Sequence, residues 1–150
     1  MKHKTGQRKV ALVTGASAGI GKAIVRRLLH DGWTVYGAAR RTDRMADIQA
    51  EGALLLALDV TDDASMSVGV AAVLQAQGRI DALVNNAGYG SYGAVEDVPI
   101  AEARRQFEVN VFGLARLSQL VLPAMRRARA GTIVNISSMG GRGWTAVGGW

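Results

Sequence analysis

The chain has 150 residues, 49% hydrophobic and 20% charged, without repeats or low-complexity tracts, which allows one domain with its own core and excludes both a two-domain chain and a disordered one. The absence of cysteine excludes a disulfide framework and a thiolate metal site, calls for no metal and fits a reducing compartment, the cytoplasm. The net charge of +6 comes from arginine pairs (Arg26-Arg27, Arg104-Arg105, Arg126-Arg127) set in helical patterns without interleaved aromatics, so it reads as solvated helix faces and not as a nucleic-acid surface.

Behind the basic N-terminus MKHKTGQRKV no apolar targeting core follows, and no apolar run approaches bilayer length, so no membrane span is expected. Residues 9–14, KVALVT, form a short apolar run that ends in a glycine turn, a buried strand. Residues 21–32 place Ile24, Val25, Leu28 and Leu29 on one helical face and close at Gly32. WTVYGAA is a second strand, and a short polar helix starts near Asp43. Residues 53–60, ALLLALDV, predict a third strand, and Thr61 followed by acidic residues predicts the N-cap of the next helix. IDALVNNAG gives a fourth strand. A helical stretch over 100–129 is expected to be kinked or divided at Pro123, and GTIVNIS is the fifth strand.

Apolar strands alternating with helices predict an α/β fold with a doubly wound parallel sheet of the Rossmann type. Such sheets bind ligands at the carboxyl ends of their strands. The first strand ends in TGASAGIGKA, with glycines at 15, 19 and 21. Gly15 permits the turn, Gly19 lets backbone approach a pyrophosphate, Gly21 lets the helix pack on the sheet, and the helix start presents N–H groups to phosphate. A nucleoside-triphosphate loop would need glycine at 16 and Ser or Thr at 23, where both residues are alanine. The GxGxxG pattern fails as well, since Gly19-Ile20-Gly21 is followed by Ile24.

TGxxxGIG followed by NNAG (residues 85–88) resembles the short-chain dehydrogenase/reductase family, over the chain from about Lys9 onward. The resemblance implies cofactor contacts from Gly15, Ser17, Gly19, Ile20 and Gly21. It also implies that Asp59 and Val60 line the adenine, and that Asn86, Ala87 and Gly88 lie against the cofactor, with Asn86 tying the sheet together. After the second strand, where an NAD-binding fold places an acid for the ribose hydroxyl, the chain has Ala39 and then Arg40-Arg41. A guanidinium matches a 2′-phosphate that a carboxylate would repel, so Arg40 points to NADP(H), with Arg41 as a second contact.

In the family a serine polarises the substrate carbonyl, a tyrosine supplies the proton, a lysine four residues later lowers the tyrosine pKa, and an asparagine holds the relay water. The resemblance carries these roles to Ser138 of NISSMGG, with Ser137 its buried neighbour, and to Asn110 of FEVNVFG. The family's Tyr-x-x-x-Lys follows the serine by about thirteen residues, just beyond Trp150, and these residues hold no such sequence. The expectation is therefore the amino-terminal, dinucleotide-binding part (residues 1–150) of an NADP-dependent oxidoreductase of carbonyls or alcohols, inactive as it stands and with its fifth strand an open edge. A non-catalytic NADP(H)-binding protein is the alternative. Tyr89 and Tyr92 lack a lysine in register, and His3 and His30 read as solvated. The resemblance also implies a homo-oligomer joined through the helix around Asn110.

Overall fold

The structure, a computed structural model, describes residues 8–138 and 140. Five parallel strands, β1 (Val10–Thr14), β2 (Thr34–Ala39), β3 (Leu54–Ala57), β4 (Ala82–Asn85) and β5 (Thr132–Asn135), pair in the order β3-β2-β1-β4-β5. Between them run α1 (Gly19–His30), a 3-10 turn (Thr42–Met45) leading into α2 (Ala46–Ala50), α3 (Asp63–Gln77), α4 (Ile100–Phe107) and α5 (Leu114–Ala128). This is the doubly wound Rossmann-type sheet that the alternating apolar runs predicted.

The central strand shows why those runs are apolar throughout. Val10 and Leu12 face a core shared with Val70 and Val73 of α3 and Leu117 and Val121 of α5. Ala11 and Val13 face a second core with Val25 of α1 and Ile48 of α2. A strand buried on both faces cannot alternate apolar with polar.

The α1–α2 side is stapled at its rim. Lys22 Nζ donates to the Asp47 carboxylate at 2.8 Å and to the Arg44 carbonyl at 3.2 Å, while Arg26 bridges Asp47 and Glu51. Exposed pairs of this kind contribute little to stability, but they account for the lysine of the glycine loop. Of the three arginine pairs, all six side chains are exposed, and His30 is exposed at the end of α1.

Four local expectations need correction. The first helix begins at Gly19, two residues earlier than the apolar spacing indicated. The third strand stops at Ala57: Leu58 and Val60 are apolar because they enter the core beneath α3 and α5, beyond the last paired residue. Thr61 is not the N-cap of α3. Its N–H and hydroxyl both bond to Asp59 Oδ1, at 2.9 and 2.8 Å, and so close a turn. Asp62, in extended conformation, caps the helix by accepting from the Ala64 N–H at 3.1 Å.

Pro123 does not divide the last helix, since α5 runs through it. It lies on the exposed face with Gln119, whose carbonyl loses its N–H partner where water can replace it. The irregularity lies earlier. A π-helical turn, Glu108–Gly113, joins α4 to α5 and carries Asn110.

Asp81 pins the base of the sheet. Its carboxylate accepts the Val10 N–H at 2.8 Å and the Arg79 Nε–H at 2.8 Å, with its side chain only 12% exposed. Burial pushes this carboxyl up, but the Arg79 hydrogen bond, the Val10 N–H and the charges of Arg79 and Lys9 outweigh it and hold it below the usual range. A lowered folded pKa gives stability that is present above the unfolded value and is lost as pH falls through the folded one. Asp81→Asn is expected to cost about 1–3 kcal/mol at neutral pH, and the gap to the parent should close in acid. Urea melts at pH 7 and below pH 4 check this; a gap independent of pH would count against the carboxylate's role.

At the other edge, Val134 and Ile136 are 40% and 36% exposed. Val134 stands in register with Val84, on the face that α1 covers elsewhere in the sheet. Among the described residues nothing packs over that part of β5.

Candidate functional site

The strand order reverses at β1, which pairs with β2 on one side and β4 on the other. At the carboxyl ends of β1 and β4 two segments meet, the glycine turn after Thr14 and the Asn86–Ala87–Gly88 stretch. Their junction is held by one side chain. The Thr14 hydroxyl, 2% exposed, accepts the N–H groups of Asn86 and Ala87, each at 3.0 Å, and faces the Val84 carbonyl at 3.4 Å. In return the Asn86 carboxamide donates to the carbonyls of Thr14 and Gly15, at 3.0 and 3.3 Å. Asn86 thus ties β4 to the turn that leaves β1.

The three glycines differ in what surrounds them. A Cβ on Gly15 would lie 2.8 Å from Asn86 Nδ2 and 2.9 Å from Ala87 Cα, and its φ is +65°. A Cβ on Gly21 would run into the Gly15 carbonyl and the same Asn86 nitrogen. Gly19, with φ +53°, has no atom within 4 Å of its missing Cβ. Two glycines therefore make room for protein and one opens outward. Helix α1 starts there on Ala18, whose side chain caps none of the first-turn N–H groups. Ser17 is half-buried in the turn and Ile20 is 62% exposed beside it.

One strand further out, Arg40 and Arg41 follow β2 and are exposed. Asp59, after β3, lies within the field of Arg40. Burial pushes its carboxyl up, but the two hydrogen bonds from Thr61 and the positive charges of Arg40 and Arg105 hold it below the usual carboxylate range. Val60, beside it, is buried.

Toward β4 the site is closed by Asn110. Its Nδ2 donates to the Tyr89 carbonyl at 2.7 Å and its Oδ1 accepts the Tyr89 N–H at 3.1 Å, so one carboxamide satisfies both backbone groups of a loop residue. Gly88 lies against it, with 3.1 Å between Asn110 Oδ1 and the position of a Cβ. The loop continues onto α4, where Ser91 donates its N–H to Gln106 at 2.9 Å and its hydroxyl to Glu102 at 3.0 Å. Tyr89 makes a poor acid here. Burial, then the hydrogen bond and charge of Glu102, push its phenol up against the opposing charge of Arg105.

Ser138 follows β5, exposed, and accepts the Gly140 N–H at 3.1 Å. It lies on the same rim, because β5 pairs with β4 in register and the Ile136 N–H extends the ladder to the Asn85 carbonyl at 2.9 Å. Ser137, expected to be buried, is exposed as well, on the uncovered end of β5. The GRGWTAVGGW stretch lies outside the described residues.

Three contributions were not foreseen: the Thr14 hydroxyl, the Asn85 carboxamide and the backbone of Tyr89, whose side chain alone had been weighed. Asn85 is buried and donates to Asn135 Oδ1 at 2.9 Å and to Ser118 Oγ at 3.3 Å, linking β4, β5 and α5. A hydroxyl at the end of an otherwise apolar strand was the available signal for Thr14.

Residues 9–148 match the family model for short chain dehydrogenases. A 3-ketodihydrosphingosine reductase of Bacteroides thetaiotaomicron is 40% identical over 136 residues, which cover 90% of this chain and 49% of that protein. A short-chain dehydrogenase of Streptomyces avermitilis superposes with a TM-score of 0.90 at 47% identity, over 93% of this chain and 53% of the other. A metagenomic short-chain oxidoreductase solved in complex with NADP gives 0.85 at 37% identity, over 92% and 66%. The chain spans about half the length of the curated relatives it matches. With its parallel sheet, its glycine turn at the switch point and this match along nearly its whole length, the chain belongs to the short-chain dehydrogenase/reductase family of oxidoreductases.

Proposed function

We propose that this chain is the NADP(H)-binding part of an oxidoreductase that moves a hydride between nicotinamide and a small carbonyl or alcohol substrate. The observation that carries the reading is the uncapped start of α1 at the switch point, with Gly19 open in front of it. Backbone N–H groups at a helix start without a side-chain cap favour a phosphate anion there. Gly15, Ser17, Gly19, Ile20 and Gly21 would hold the pyrophosphate, Asp59 and Val60 the adenine, and Ala87 and Gly88 the inner ribose and nicotinamide side. Asn86 keeps that wall in place. Arg40 supplies the charge for a 2′-phosphate, and the related oxidoreductase that carries NADP supports this choice.

The bound cofactor would supply the hydride; this chain's residues position and exclude. Ser138 would hydrogen-bond the substrate oxygen, and Asn110 would fix the wall of the proton path through Tyr89. These 150 residues contain no Tyr-x-x-x-Lys, so alone they should bind cofactor and turn over slowly. Assembly of copies through the helix around Asn110 and a cytoplasmic setting complete the proposal.

Arg40→Ala tests the cofactor assignment. Loss of one charge-assisted contact should weaken NADP+ binding roughly 10- to 100-fold and NAD+ binding by less than about 3-fold, read by calorimetry. Equal losses for the two cofactors would sink the 2′-phosphate role. Failure of the parent chain to bind either would remove the whole reading.

A further inference from the structure

We propose that Gly113 is a positioning residue for Asn110, acting through the carbonyl of Val60. The irregularity in the last helix is a single π-helical turn, Glu108–Gly113. Turns of this width are uncommon and recur at functional sites. Gly113 closes the turn and is buried. A Cβ built on it would strike the Val60 carbonyl oxygen, and would lie 3.1 Å from the Val60 Cβ and 3.1 Å from the Glu108 carbonyl. The helix therefore rests backbone to backbone on the Asp59–Val60 loop, a closeness that any side chain at 113 would forbid.

Three residues earlier the same turn carries Asn110, whose carboxamide reaches both backbone groups of Tyr89, at 2.7 and 3.1 Å. Two fixed bonds from one short side chain tolerate little displacement of the helix backbone. Glycine at 113 sets how close the turn approaches the sheet, and that distance sets whether Asn110 meets Tyr89. The loop assigned above to adenine and the asparagine assigned to the proton path thus share one backbone contact. The functional meaning of this link rests on those assignments; the geometric claim does not.

Residue-resolved hydrogen–deuterium exchange on the full 150-residue chain tests it. In Gly113→Ala the Tyr89 amide should lose protection by roughly 10-fold or more relative to the β1 amides. Gly69→Ala is the control. It is also a buried helical glycine, but its Cβ would meet only side-chain ends, Leu58 Cδ1 at 3.0 Å and Leu56 Cδ2 at 3.3 Å, so protection should fall alike throughout. Should Gly113→Ala not fold, Val60→Gly keeps the carbonyl but frees the backbone that carries it and removes the Val60 Cβ 3.1 Å from the position of a Gly113 Cβ, so it should lower Tyr89 protection selectively, by less. If Tyr89 protection falls only in step with β1 in whichever variant folds, the proposal is overturned. A separate NADPH titration of the unaltered chain reads the cofactor assignment, and its failure would leave the exchange result standing.

Discussion

Thr14→Val is expected to lower the unfolding free energy by about 2–5 kcal/mol, among the largest effects of any isosteric change in this chain. Valine keeps the shape, so no cavity opens, and the loss isolates the hydroxyl. That hydroxyl is the acceptor for two backbone N–H groups, those of Asn86 and Ala87 at 3.0 Å each, in a residue 2% exposed. Each buried donor left without a partner costs on the order of 1–3 kcal/mol. Thr14→Ser keeps the oxygen and drops only a methyl, so it should cost under about 1.5 kcal/mol. Urea midpoints of the two variants decide the matter. Equal shifts would mean that the two amides find another acceptor.

The second large effect separates stability from binding within one loop. Gly21→Ala puts a methyl into the Gly15 carbonyl and the Asn86 carboxamide. The first is backbone, and the second is pinned to Thr14 and Gly15. Neither can swing aside, so a loss of about 3 kcal/mol or more is expected, with the melt shifted accordingly. Gly19→Ala meets no atom within 4 Å and bears only the strain of φ +53°. It should cost about 1–2 kcal/mol and remain folded. Its methyl enters the space assigned to the pyrophosphate, so NADPH affinity should fall even though the fold survives. A Gly19→Ala protein that binds NADPH as the parent does would place the phosphates elsewhere.

The sheet could be read from the chain because burial on both faces leaves no polar residue in the middle of a strand. β1, β2 and β4 show this directly. β3 misled at its end because Leu58 and Val60 continue the apolar run after pairing has stopped. The helix boundaries around Thr61 and Pro123 depended on competition between local groups. Asp59 took the Thr61 hydroxyl, and water access at Gln119 made the proline tolerable. One extra residue in the turn at Glu108–Gly113 does not disturb the apolar periodicity enough to be seen.

The site was legible in its motifs more than in its mechanics. The spacing of Gly15, Gly19 and Gly21 set Gly19 apart as the open position, yet that Gly15 and Gly21 both clear space for the Asn86 carboxamide depends on a contact between β1 and β4 that spacing does not carry. Asn110 could be singled out, whereas its hold on Tyr89 depends on a loop of indeterminate path in the sequence. Ser137 was misjudged because its exposure follows from the bare end of β5, a property of the tertiary layout.

The strand order also dictates when the site can come into being. β1, β2 and β3 are joined by consecutive crossovers and can close over short stretches of chain. β4 must then return to the free edge of β1, and the Thr14 hydroxyl reaches a partner 72 residues away in Asn86. Closing so long a loop carries an entropy cost that only the completed pairing offsets. Nucleotide capture should therefore be a late event in refolding, trailing the appearance of helical signal, and a nascent chain that has emerged only through β3 should have its first strand half-paired and no affinity for cofactor.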